Sequence, residues 1–263
     1  MKKLYVRILG ALLMLPVLAT AQSALDGTWK IDLSTAHLSD KPDVYLLQHG
    51  MYDCKSCVPP IHVKADGEEQ KVTGHPYYDK IGIKALDDRT VATTRSREGK
   101  PVSTEKMTVA ADGLTLSDEF SDSSATNAAP VTGVTEMTRV SIGPAGSHAI
   151  SGSWRTIKFA SVSDNALTTT YKTEGDVLSM TSPTGQSYAA KMDGTYTSYN
   201  GDPGTTSVSI HRIDKHTFQE TDKRGAKVVS VTRMSVAADG TSMKMVIHDT
   251  VHGTTTTFVA AKQ

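Results

Sequence analysis

An internal duplication constrains this chain more than any other feature. Residues 64–122 and 191–249 align without a gap at an offset of 127 positions. Lys64-Ala65-Asp66-Gly67 answers Lys191-Met192-Asp193-Gly194, and Gly74-His75-Pro76 answers Gly201-Asp202-Pro203. The heptapeptide starting at Met107 (MTVAADG) answers the one starting at Met234 (MSVAADG). Upstream, Gly27-Thr28-Trp29-Lys30 answers Gly152-Ser153-Trp154-Arg155 at a slightly different offset. A segment repeated at this length is a folding unit, so function is to be sought in one copy and in what differs between the two.

Each copy reads as β-structure. The run from Lys80 to Leu86 (KIGIKAL) alternates polar with apolar residues, as does that from Ser207 to Ile213 (SVSIHRI). A period of two is that of a sheet wet on one side. Asp66-Gly67, Asp112-Gly113, Asp193-Gly194 and Asp239-Gly240 are tight-turn signals, because glycine takes positive φ at no steric cost. No stretch carries an amphipathic helix of three turns. Some eight short strands per copy, joined by such turns, make a meander, and closing a meander removes its exposed edges. The sequence therefore predicts an all-β chain of two tandem small up-and-down antiparallel barrels, with one continuous sheet or sandwich as the alternative.

The domain plan follows. Lys2, Lys3 and Arg7, an apolar run over residues 8–18, and Ala19-Thr20-Ala21 have the form of a cleavable export signal, residues 1–21, with a mature start at Gln22. Residues 22–140 form the first unit, the small, breaker-rich residues 141–149 a linker, and residues 150–263 the second unit. The apolar run is short for a membrane span and no second one follows, so a periplasmic or secreted protein without a transmembrane segment in its mature chain is expected. Lysine plus arginine and aspartate plus glutamate balance at 28 each, which argues against nucleic acid or any partner held mainly by charge. Aromatic residues make up 6% of the chain, too few for base-stacking platforms.

The Gly-x-Trp opening of each copy resembles the start of lipocalin-type (calycin) barrels. The rest of the copy resembles a group of exported bacterial β-proteins described as lipocalin-like and mostly without assigned function. The motifs that carry the likeness are Gly27-Thr28-Trp29-Lys30, Val72-Thr73-Gly74-His75-Pro76, Asp87-Asp88-Arg89-Thr90-Val91 and Ala110-Ala111-Asp112-Gly113, with weaker copies in the second unit. The resemblance implies that Trp29 and Trp154 plug the closed end of a barrel. It also implies an arginine packed on the tryptophan, for which Arg139 is the candidate in the first unit; the matching position in the second is Val259. These motifs are structural, and they point to a fold without pointing to a reaction.

Chemistry is therefore to be sought where the copies diverge. Cys54 and Cys57, spaced as CxxC, have Thr181 and Thr184 at the matching positions. In an oxidising compartment two cysteines this close form a disulfide that shapes the surrounding loop. A redox role conflicts with the following Val58-Pro59-Pro60, which permits no helix to lower a thiol pKa. A metal site is the remaining alternative, with Cys54, Cys57, His49 and His62 as ligands and His75 and Met51 nearby. Tyr77-Tyr78 is the other divergence, answered by Gly204-Thr205.

The segments from Ser103 to Lys106, Ser163 to Asn165 and Lys172 to Gly175 spell the elements of a penicillin-recognising enzyme. Ser103 falls in a β-pattern rather than at a helix start, so the match is coincidental. No phosphate loop, dinucleotide fingerprint or His-Glu-x-x-His is present. The expectation is a non-enzymatic, cofactor-free carrier of a small apolar or amphipathic ligand, contacted in the first barrel by Tyr52, Tyr77 and Tyr78. The alternatives are a pocketless structural or interaction module of the cell envelope, the metal-binding reading, and an enzyme using carboxylates such as Asp79 or Glu105.

Overall fold

The computed structural model describes residues 23–125 and 128–263. The proposed signal segment thus lies outside the described residues. The chain is all-β and forms two nearly closed, ten-stranded antiparallel barrels. The sole helix among the described residues is the four-residue α1 (Asp164–Leu167).

The barrels do not divide at residues 141–149. Strand β1 (Gly27–His37) leaves its own repeat and closes the other one. The next ten strands follow in sequence as one sheet: β2 (Asp43–Gln48), β3 (Met51–Cys54), β4 (Ile61–Lys64), β5 (Gln70–Lys71), β6 (Lys80–Ala85), β7 (Thr90–Arg97), β8 (Lys100–Val109), β9 (Thr115–Asp122), β10 (Val131–Ile142) and β11 (Gly152–Val162). After α1 come β12 (Thr168–Glu174), β13 (Val177–Thr181), β14 (Ser187–Lys191), β15 (Asp193–Ser198), β16 (Ser207–Arg212), β17 (Thr217–Arg224), β18 (Lys227–Val236), β19 (Ser242–Asp249) and β20 (Thr254–Lys262). These pair with β1 to make the second sheet.

The first barrel is thus the contiguous segment 43–162. It sits as an insert between β1 and the remainder of the second barrel. Tryptophan strand β11 lies between β10 and β2, and tryptophan strand β1 lies between β20 and β12. Each Gly-x-Trp strand therefore completes the barrel of the opposite sequence repeat.

Two hydrophobic cores follow the same division. One gathers Leu47, Tyr52, Ile83, Val109, Leu116 and Trp154, the other Leu25, Trp29, Leu178, Ile210, Phe218 and Met243. Trp29 Nε1 donates to the Leu25 carbonyl and Trp154 Nε1 to the Ile150 carbonyl, both at 2.7 Å, so each buried indole is satisfied within its own short segment. The preceding glycine is a steric requirement. Gly27 and Gly152 have φ of 127° and 126°, and a Cβ on Gly152 would collide with the Ser141 carbonyl oxygen.

Arg139 packs on Trp154, its guanidinium carbon 3.9 Å from the ring centroid. It donates to the carbonyls of Gly113, Ser151 and Ala149. The strand exchange corrects the expected counterpart in the second unit. Register pairs Trp154 with Arg139 and Trp29 with Lys262, whereas Val259 pairs with Asp32. Lys262 places its ammonium 5.4 Å from the Trp29 ring centroid, so the cation is kept with a change of residue type. Register likewise corrects the counterpart of Cys54. Tyr45 pairs with Gly152 and Cys54, Tyr171 with Gly27 and Met180, so Met180, not Thr181, stands in the place of Cys54.

Candidate functional site

Alternation along the strands of the first barrel sorts the interior into layers. At the closed end, Val91, Val109 and Leu116 point inward beside Trp154, and all are buried. One step further along the same inward face are Thr93, Met107 and Met137. The next positions in phase are charged: Arg95 on β7, Glu105 on β8 and Asp118 on β9. Ser103 and Phe120 then lead to the open end. The interior of the first barrel thus runs from an apolar floor to a polar, aromatic rim.

The charges in the cup are balanced. Arg95 Nη2 lies 2.7 Å from Glu105 Oε2, an ion pair with most of both side chains enclosed. Although burial works against its charge, the Glu105 carboxylate beside it holds Arg95 more firmly protonated than usual. Burial, with the neighbouring Glu105, pushes Asp118 up to about 8, so near neutrality it is the protonated partner of a hydrogen bond with Glu105. Tyr52 stacks behind Tyr45, ring centroids 6.2 Å apart, and belongs to the core rather than to the open end. Tyr78 stacks on His75 at 4.8 Å and lies under Arg95, whose guanidinium carbon is 5.4 Å from the ring centroid.

The second barrel repeats the layering with different chemistry. Phe218, Glu220 and Asp222 are in phase on β17, and the Tyr188 hydroxyl donates to Glu220. Burial and the Glu220 carboxylate push Asp222 up to about 8. In the sequence alignment Asp222 stands where the first repeat has Arg95, so this interior has acids and tyrosines without the compensating guanidinium.

Open space lies where the two barrels meet. One chamber of about 500 Å³ is lined by Tyr77, Tyr78, Arg95, Phe120 and Asp122 from the first repeat and Gln186 from the second. A second of about 430 Å³ shares Tyr77 and Tyr78 and adds Val58, Ile247 and Val251. A third of about 380 Å³ is walled by Asp43, Tyr45, Asp118, Phe159, Asp249 and His252. Each draws on both barrels, so the candidate site is the seam between the mouths and not the first barrel alone.

Of the residues singled out from sequence, Tyr77 and Tyr78 line the seam and Tyr52 does not. Cys54 and Cys57 are bonded to each other, and Cys57 borders the second chamber. With both sulfurs in a disulfide, neither is a thiolate ligand. His49 sits with positive φ in the β2–β3 turn, while His62 is exposed and its Nδ1 lies 2.6 Å from Asp53 Oδ1. Among the described residues no group of three or more His, Cys, Asp or Glu is arranged to hold a metal ion. The four-ligand metal set is therefore not assembled, because one pair is spent on itself and the other lies on a turn and an exposed strand face. Asp79 accepts the backbone N–H of Glu98 at 2.9 Å, a turn contact, whereas Glu105 does belong to the interior cluster.

Sequence reading missed Arg95, Asp118 and Phe120. The signal was available for the first two. A charged residue in phase with the buried face of an alternating strand, as in Val91-x-Thr93-x-Arg95 or Leu116-x-Asp118, marks an interior polar group.

No protein-family model matches the chain, and a search of curated proteins finds no match to it. Among the described residues no helix is long and apolar enough to cross a membrane.

Proposed function

We propose that this chain is an exported, lipocalin-like binding protein that holds a small amphipathic molecule where the mouth of its first barrel meets the second. The observation that carries this reading is the chamber of about 500 Å³ bounded by Tyr77, Tyr78, Phe120, Arg95 and Asp122, within the size range of sites for small organic ligands. Its walls mix aromatic faces with a few hydrogen-bonding groups, the composition that buries a small organic ligand and fixes its orientation. Arg95 is already neutralised by Glu105 at 2.7 Å, and Asp122 adds a negative charge at the rim. The chamber therefore favours a neutral head group over an anionic one.

Two of the lining residues, Tyr77 and Tyr78, are those that one repeat keeps and the other lacks. Titration with the uncharged fluorophore phenylnaphthylamine tests the reading. Saturable binding is expected, with affinity lost in Val131→Trp, which fills the chamber from its edge. Unsaturable binding, or binding unchanged in Val131→Trp, would leave a pocketless envelope module as the better description.

A further inference from the structure

The seam contains two chambers that share a wall, and the wall is made of Tyr77 and Tyr78. The two residues are held in different ways. Tyr78 packs against the first core, stacks on His75, and places its hydroxyl 3.2 Å from His75 Nδ1. Tyr77 reaches across to the second repeat instead, where its hydroxyl donates to the Asp202 carboxylate. Asp202 also accepts the Gly204 N–H at 2.6 Å.

This contact is made between equivalent loops. Gly74-His75-Pro76-Tyr77 answers Gly201-Asp202-Pro203-Gly204, so the residue facing Tyr77 is its own counterpart. A Cβ on Gly204 would collide with the Tyr77 hydroxyl. The copies could not both carry tyrosine here: the second has no side chain at this position and the first fills the space. The divergence that marked Tyr77 in the sequence is thus one half of a complementary pair.

The chambers on either side differ in character. The first has polar groups, with Arg95, Ser103, Asp122 and Gln186 on its walls. The second carries Val58, Pro76, Val229, Ile247 and Val251, an apolar stretch that suits a hydrocarbon tail, together with Arg224, Asp249 and His252. Building on the ligand reading above, we propose that Tyr77 is the specificity-determining residue of the seam. It is a partition that limits the ligand to a neutral-headed single-chain amphiphile with a short tail, by closing the way from the first chamber to the apolar stretch of the second.

The test uses monoacylglycerols of increasing chain length, from butanoyl to palmitoyl, measured by displacement of phenylnaphthylamine from the full mature chain. Each methylene newly buried raises affinity about fourfold, so affinity climbs with length until the tail meets the partition and then levels off. In Tyr77→Ala the climb should continue to longer chains. In Tyr77→Phe, which keeps the ring and loses only the hydroxyl, the plateau should stay at the wild-type length. Val251→Trp added to Tyr77→Ala should restore the short plateau by filling the second chamber. Should Tyr77→Ala fail to show a cooperative melt, Tyr77→Leu replaces it.

A plateau at the same length in Tyr77→Ala (or Tyr77→Leu) and wild type would overturn the partition. So would a wild-type affinity that climbs without a break to palmitoyl. If the fluorophore binds saturably but no monoacylglycerol displaces it, this inference falls while the ligand reading stands. If the fluorophore does not bind either, both fall.

Discussion

The exchange of tryptophan strands makes a crossed prediction. Trp154 belongs to the second sequence repeat and Trp29 to the first, yet each is buried in the opposite barrel. Trp154→Ala removes a side chain with no exposed surface, and truncating a core aromatic of this size costs about 3–5 kcal/mol. The Ile150 carbonyl loses its 2.7 Å donor, roughly 1 kcal/mol more. Arg139 loses the ring 3.9 Å beneath it, on the order of another 1 kcal/mol. Against a domain stability of about 5–15 kcal/mol, a total of about 5–7 kcal/mol brings one barrel close to unfolding. At tenfold per 1.4 kcal/mol, amide protection should fall on the order of 10³-fold or more in that barrel. Hydrogen exchange read by mass spectrometry locates the loss. Trp154→Ala should expose peptides across residues 43–151 and leave residues 178–260 largely protected. Trp29→Ala, with Lys262 and the Leu25 carbonyl as the orphaned partners, should do the reverse. If Trp154→Ala instead loosened residues 178–260, the barrels would follow sequence repeats and the topology argued above would be wrong.

Two further outcomes are expected. Asp118 has its pKa raised in the folded state to about 8, first by burial and then by Glu105, so its contribution is present below the unfolded carboxylate pKa and is lost as pH rises through about 8. Chemical denaturation should show stability falling from about pH 4 to about pH 8 and levelling off above, with Asp222 of the second barrel adding a like slope; Asp118→Asn, which keeps a donor for Glu105, should reduce that slope without abolishing it and be the more stable protein at pH 9 by roughly 1–2 kcal/mol, and an unchanged slope would show that Asp118 ionises freely. The Cys54–Cys57 disulfide closes a ring of only four residues, so replacing both cysteines by serine should cost no more than about 2 kcal/mol, measured by urea midpoint, with the change in hydrogen exchange confined to the residues between β3 and β4; a loss of cooperative folding would show that the bond supports the whole barrel.

Much of the fold could be read from residue order because its causes are local. Alternation in β6 and β16 and the Asp-Gly turns put strands where they are found, and the tryptophans of both Gly-x-Trp motifs are buried in the cores. Three short strands were invisible for a stated reason. β3 and β5 have too few residues to show a period, and β15 begins at Asp193-Gly194, whose composition spells a turn. The strand exchange was invisible for a deeper one. A tandem duplication has the same sequence whether each tryptophan strand closes its own repeat or its neighbour's, since the pattern of inward and outward residues is identical in both. What separates the alternatives is the reach of residues 38–42 and of Ser163 with α1, and which arginine or lysine meets which indole. Arg139 with Trp154 and Lys262 with Trp29 carry that information only in pairs, and a pair is not visible in a one-dimensional pattern.

The site was half legible for a related reason. Comparison of the copies isolates what the fold does not require, and it found Tyr77, Tyr78 and Cys57, all of which border the seam. Tyr52 and the cysteine–histidine metal set were expected from residue type and proximity in sequence, neither of which shows where a residue faces. Tyr52 faces the core beside Tyr45, and His62 faces outward to Asp53. Gly204 is the instructive case. Read alone, it is the absence of a tyrosine in a degenerate copy; set opposite Tyr77 and Asp202, it is the space that the tyrosine of the other copy occupies. The glycine of one repeat and the tyrosine of the other are then two halves of one complementary packing. The asymmetry between the copies follows from two equivalent loops meeting at one seam, where only one of them has room for an aromatic ring.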